Sequence, residues 1–81
     1  MNTREKVHTI LRQLSCMEAV RDEDGLQEDL ALDSLALVTM LMELEDVFGM
    51  KLDEADMNPF DLVTVDDVVR LAEKYEGDKD E

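Results

Sequence analysis

The chain has 81 residues, enough for one small domain and too few for two, which leaves little room for an internal catalytic cleft beside a single compact core. Its 22 acidic residues against 8 basic ones give a formal net charge of -14, which argues against nucleic acid or anionic membranes as partners and for proteins with basic patches. Cys16 is the only cysteine, so no intramolecular disulfide is possible, and 44% hydrophobic content is too high for a disordered acidic tail.

Residues 1–6 lead straight into amphipathic sequence with no apolar leader, so the expectation is a complete soluble protein; the lone cysteine fits a reducing cytoplasm, and the charge favours a monomer. Thr3 is predicted to cap a first helix in which Val7, Ile10, Leu11 and Leu14 fall at i, i+3, i+4 and i+7, ending near Ser15 or Met17. Residues 18–33 read as a long acidic loop pinned to the core by Val20, Leu26, Leu30 and Leu32. Loops longer than about 12 residues in a compact domain are often functional. Within it Asp22-Glu23-Asp24-Gly25 suggests a calcium loop, but a glycine at loop position six would put Val20 at the first ligand position, which excludes an EF-hand.

The strongest helix starts at Ser34, with Leu37, Met40, Leu41, Leu44, Val47 and Phe48 on one side and Gly49 placed to end it. Glu43, Glu45 and Asp46 fall off that stripe and should face solvent. Leu35, Ala36 and Met42 lie near or beyond its edge, apolar exposure that points to a docking surface. Asn58-Pro59-Phe60-Asp61 combines a cap with proline at the first helical position, the start of a short helical turn. Thr64 opens the last helix with Asp67 in capping-box position, and Val65, Val68, Val69, Ala72 and Tyr75 form its buried stripe. From Glu76 onward the chain reads as a frayed polar tail. The predicted fold is all-α, a four-helix bundle with three long helices, one short third helix and a long loop between the first two, with a domain over 1–76 and a tail over 77–81.

A serine at the first position of a helix holds its hydroxyl at the positive end of the macrodipole, among N–H groups without intrahelical partners, where a phosphate ester is favoured. Helix capping by Asp33 or Ser34 explains the tripeptide Asp33-Ser34-Leu35 equally well, so the tripeptide alone leaves both readings open. His8 and Cys16 stand alone, without partners at metal-ligand spacing, so no metal site is predicted.

The wider context is more specific. Glu28-Asp29-Leu30-Ala31-Leu32-Asp33-Ser34-Leu35-Ala36-Leu37-Val38, continued by Met42-Glu43-Leu44-Glu45-Asp46-Val47-Phe48-Gly49, closely resembles the phosphopantetheine-attachment region of acyl carrier proteins. Thr64-Val65-Asp66-Asp67-Val68-Val69 resembles the start of that family's last helix, and the resemblance covers nearly the whole chain. It implies a carrier without catalysis of its own. A phosphopantetheinyl transferase, using coenzyme A and Mg²⁺, would attach a 4′-phosphopantetheine arm to Ser34, and the arm's thiol would hold an acyl group as a thioester. Asp33 would help the transferase and its metal engage the site, and Leu35 would add apolar contact.

The same resemblance makes Glu43, Glu45 and Asp46 candidates for meeting the basic patches of acyl-loading and acyl-processing enzymes, and exposed Met42 joins them as apolar docking contact. It also suggests an acyl chain slipping between the second and third helices, past Leu44, Met57, Phe60 and Leu62, with ordinary core packing as the competing reading. One departure stands out. Ala36 and Thr39 occupy the positions, two and five after the serine, where fatty-acid carriers have acids. A fatty-acid, polyketide or specialised lipid carrier and an aminoacyl carrier loaded by an adenylating ligase all remain open, with a dedicated pathway favoured. Outside carriage, an acidic interaction module is the competitor. A serine hydrolase lacks a base, since His8 is the sole histidine and no G-x-S-x-G surrounds Ser34.

Overall fold

Asn2 opens the first helix. Its side-chain oxygen accepts from the Glu5 N–H at 2.8 Å, so Asn2, and not the expected Thr3, caps α1 (Thr3–Ser15). Both residue types cap well, and asparagine one position earlier takes the role. The structure, a computed structural model, describes residues 2–79. After Cys16, which ends α1 in the left-handed region at φ 60°, the chain runs as a loop to Asp33, and α2 (Ser34–Phe48) follows. Gly49 ends α2 at φ 62°, where a side chain would be strained, as the sequence predicts. Two single 3₁₀ turns, Glu54–Asp56 and Pro59–Asp61, lead to α3 (Val65–Lys79).

The chain is therefore all-helical, with three α-helices among the described residues. The expected short third helix takes the form of the 3₁₀ turn at Pro59, with a second such turn before it. The reason lies in what this stretch can bury. No residue of Glu54–Asp56 is buried, and a helix this short needs tertiary packing that only an apolar face provides. The last helix runs on to Lys79, into the stretch expected to fray from Glu76, and residues 80 and 81 of the predicted tail lie outside the described residues.

α1 packs against both α2 and α3, and the second 3₁₀ turn packs against α2. The core combines Val7, Ile10 and Leu11 of α1, Leu37, Met40, Leu41, Leu44 and Phe48 of α2, and Val65, Val68, Val69, Leu71 and Ala72 of α3. Val47 is the exception to the predicted stripe, half-exposed at 43%. At 100° per residue it sits roughly 80° from the centre of the face that Leu37, Leu44 and Phe48 define, just outside Met40. Val20, Leu26, Leu30 and Leu32 join the core from the loop, so its leucines do pin it down.

Backbone bonds fasten the same loop. The Leu26 N–H donates to the Val63 carbonyl at 2.8 Å, Val65 N–H to Asp24 O at 2.9 Å and Asp66 N–H to Asp22 O at 3.0 Å, around an isolated antiparallel bridge between Gly25 and Thr64. Side chains add to this. Arg4 pairs with Asp22 at 2.5 Å, and His8 Nε2 lies 2.8 Å from the other oxygen of the same carboxylate. The Arg4 hydrogen bond first, and then that of His8, hold the Asp22 carboxyl below the ordinary aspartate range. Arg21 N–H donates to Asp24 Oδ2 at 2.9 Å. The acids that hinted at a calcium loop are thus engaged by the protein's own donors.

Most of the net charge of -14 lacks such local compensation, and a radius of gyration of 11.7 Å is close to the screening length of about 10 Å at 0.1 M salt. Raising ionic strength from about 0.01 to 0.3 M, or adding Mg²⁺, should therefore raise the melting temperature by several degrees. A melting curve that stays put across that range would contradict this.

Candidate functional site

The loop delivers the chain to Ser34 through a tight internal turn. Gly25 N–H donates to Asp29 Oδ2 at 2.6 Å, Gly25 O accepts from the N–H groups of Asp29 and Leu30, and Leu26 O accepts from Leu32 N–H at 3.0 Å. Ala31 then takes φ 55°, a left-handed conformation unfavourable for alanine, between two leucines that are both buried. Anchoring by those leucines holds the strained residue in place and fixes where α2 begins.

Asp33 is the N-cap. Its Oδ1 accepts from Ala36 N–H at 2.8 Å and its carbonyl from Leu37 N–H at 3.0 Å. Of the two capping readings of the tripeptide, the one on Asp33 is realised, which leaves Ser34 with no structural task. Its side chain is exposed, and its hydroxyl bonds to no described residue. By contrast, the hydroxyls of Thr9, Ser15 and Thr39 each donate to the carbonyl four residues earlier. The Ser34 and Leu35 N–H groups have no partner inside the helix, and the first turn of α2 carries no acidic residue. The residues at this end fit a phosphate ester on Ser34: the oxygen is free to react, two N–H groups are unspent, and the dipole favours negative charge.

The outer face of α2 continues from that point. Leu35 is 74% exposed, Val38 40% and Met42 59%, an apolar strip at i, i+3 and i+7 that ends on exposed Asp46. Ala36, expected with the surface residues, is instead partly buried against the core. Sequence reasoning missed Val38, although its spacing from Leu35 and Met42 is the signal that places it there. Met42, Glu43, Glu45 and Asp46 line one open groove of about 570 Å³ together with Thr39, Met50 and Lys51. Glu45 differs from the expectation of a solvent-facing acid: half-buried, it accepts from Leu52 N–H at 2.9 Å and so holds the chain as it leaves the helix. All three acids sit in the C-terminal half of α2 with no basic residue in its last turn, against the preference of the helix dipole.

The four residues expected to line an acyl pocket differ widely in burial. Leu44 is fully buried in the core, Leu62 packs partly against it, and Met57 and Phe60 are exposed at 36% and 63%. The Tyr75 hydroxyl accepts from Asp53 N–H at 2.8 Å and donates to Asp56 Oδ2 at 2.5 Å, a role that its place in the buried stripe of α3 did not reveal.

The phosphopantetheine attachment site family matches this chain over residues 5–72. An acyl carrier protein of Thermotoga maritima is 43% identical over 58 residues, covering 72% of this chain and 69% of that one. Acyl carrier proteins of Saccharopolyspora erythraea and Phytoplasma australiense are 37% and 36% identical, over 79% and 86% of this chain and 74% and 92% of theirs. With an exposed, unengaged serine at the start of its second helix and relatives along most of its length, the chain belongs to the acyl carrier protein family.

Proposed function

We propose that this protein carries acyl groups as thioesters on a 4′-phosphopantetheine arm attached to the Ser34 hydroxyl. The observation that carries the assignment is the division of labour at the start of α2: Asp33 caps the helix, and Ser34 is exposed with its hydroxyl unspent. Family membership supplies the arm, whose thiol forms the thioester. The chain's own residues hold the attachment point at the positive end of α2 and present the Leu35, Val38 and Met42 strip beside it.

Partners on this reading are a phosphopantetheinyl transferase and acyl-loading and acyl-processing enzymes with basic docking patches. Asp33 and Leu35 serve the transferase. Met42, Glu43 and Asp46 serve the later enzymes, with Glu45 contributing charge while it holds Leu52. Rim charges of this kind speed encounter and select partners without slowing release, which suits a carrier. The protein works in the cytoplasm as a monomer and leaves catalysis to its partners. The segment 54–61 takes the place of the short third helix of a four-helix carrier bundle, and Leu44, Met57, Phe60 and Leu62 become the wall of an acyl pocket once that segment moves. Ala36 and Thr39 at positions expected to be acidic favour a dedicated polyketide, lipid or aminoacyl pathway over general fatty-acid synthesis.

Incubation with coenzyme A and a broad-specificity phosphopantetheinyl transferase should add one arm to the intact mass, and Ser34→Ala should take none. No added mass on the folded wild-type protein would favour a non-covalent interaction module instead.

A further inference from the structure

The segment 53–62 is fastened in an uneven way. At one end the Leu52 N–H donates to Glu45 Oε2 at 2.9 Å. At the other the Val63 N–H donates to Asp67 Oδ2 at 3.0 Å, and Val63 O accepts from Leu26 N–H. Between these points the segment bonds mainly to itself: Asp56 N–H to Asp53 O, Met57 N–H to Glu54 O, Asp61 N–H to Asn58 O and Phe60 N–H to Asn58 Oδ1. Apolar burial contributes little, with Met57 and Phe60 facing outward and Leu62 only partly covered.

Its remaining ties, among the described residues, all reach the same turn of α3. The Tyr75 hydroxyl accepts from the Asp53 N–H and donates to Asp56 Oδ2, and Lys74 Nζ donates to that same oxygen at 3.0 Å. One hydroxyl thus spans the first 3₁₀ turn, gripping its backbone at the start and its side chain at the end. Segments held by few buried contacts open locally, at a free energy set by such ties.

We propose that Tyr75 is a latch: its hydroxyl keeps residues 53–62 closed as a flap over α2, and releasing it lets the flap open as a unit to admit the apolar chain carried on Ser34. The second half of that statement rests on the proposed carrier function. The first half does not. The flap ends on the turn that packs against α2, so its opening uncovers that helix without disturbing the contacts of α1 with α2 and α3.

Amide hydrogen exchange on the full-length, unloaded protein tests the latch. In Tyr75→Phe the Asp56, Met57 and Asp61 amides, none of which bonds to Tyr75, should exchange about tenfold faster, while those of Leu41 and Val68 keep their wild-type rates. Asp56→Ala, which breaks the latch from the flap's side, should give the same pattern and serves if Tyr75→Phe folds poorly. A change confined to Asp53, or a uniform change that includes Leu41 and Val68, would overturn the proposal.

The loaded protein tests what enters. An octanoyl cargo should speed the same amides relative to an acetyl cargo in the wild type, and less so in the already open Tyr75→Phe. Equal exchange with both cargoes in both proteins would overturn the flap's role in admitting the chain. If Ser34 accepts no arm, the carrier function fails, while the unloaded exchange pattern still decides the latch.

Discussion

Leu41→Ala is expected to destabilise the protein by about 3 kcal/mol. Leu41 is fully buried in the middle of α2, within the core built from all three helices and the loop. Removing its side chain loses the transfer free energy of the missing carbons and leaves a cavity that the helix contacts only partly close. A domain of 81 residues holds only roughly 4–12 kcal/mol in total, so this one change removes a large share. The melting temperature should fall by about 15 °C. Met42→Ala, one residue along the same helix but 59% exposed, should stay within about 0.5 kcal/mol of wild type. Urea titrations of the two variants measure the contrast. Equal losses would mean that α2 does not present one face to the core and the other to partners.

The second large effect comes from the start of α3. Asp67 Oδ2 accepts from both Val63 N–H at 3.0 Å and Thr64 N–H at 3.1 Å, and the Asp67 N–H donates in turn to Thr64 Oγ1 at 3.3 Å. This is the capping box read from the sequence, with an aspartate in the position usually taken by glutamate. Asp67→Ala leaves two N–H groups unpaired where the loop is clamped by Leu26 and Val65, and should cost about 2 kcal/mol.

The pH dependence follows from the same bonds. The N–H groups of Thr64 and Val63 hold the Asp67 carboxyl below its ordinary range. As pH falls, the unfolded chain therefore binds protons before the folded one does. The stabilisation from Asp67 is complete above about pH 4 and is lost as pH drops through the lower folded value. Asp56, held down first by the Tyr75 hydroxyl and then by Lys74, and Asp22, held down by Arg4 and His8, act in the same sense. Wild-type stability should fall steeply below about pH 4, and Asp67→Ala should show a shallower fall. Parallel curves would mean that the cap does not titrate with folding.

The helices were legible because each carries its own signals. The apolar spacing of α1 and α2, Gly49 at the end of α2 and the Thr64–Asp67 pair each fix a boundary locally. The reading of Ser34 as the attachment point has a different source. Nothing in Asp33-Ser34-Leu35 separates a capping serine from a modified one, and only the longer resemblance chose between them.

What the sequence concealed depends on contacts between distant residues. The Tyr75 tie to Asp53 and Asp56 spans about twenty positions, and the Glu45 bond to Leu52 exists only because the chain folds back after Gly49. Local patterning is blind to both: Tyr75 does pack against the core as its stripe predicts, but the bonds of its hydroxyl leave no local sign, and Glu45 reads as a solvent-facing acid. The turn at Pro59–Asp61 was legible from Asn58 and Pro59, whereas the one at Glu54–Asp56 was missed, because three residues with none buried carry no apolar pattern to read.

Ser34 is the proposed attachment point of the arm. Cleavage after Arg21 and Lys51 releases a peptide in which Ser34 and Thr39 are the only hydroxyl residues, and Thr39 already donates its hydroxyl to the Leu35 carbonyl. Fragment-ion mass spectrometry of that peptide, after treatment of the folded protein with coenzyme A and transferase, should place the whole added mass on Ser34. An arm found on Thr39, an arm still acquired by Ser34→Ala, or no arm at all would contradict the assignment.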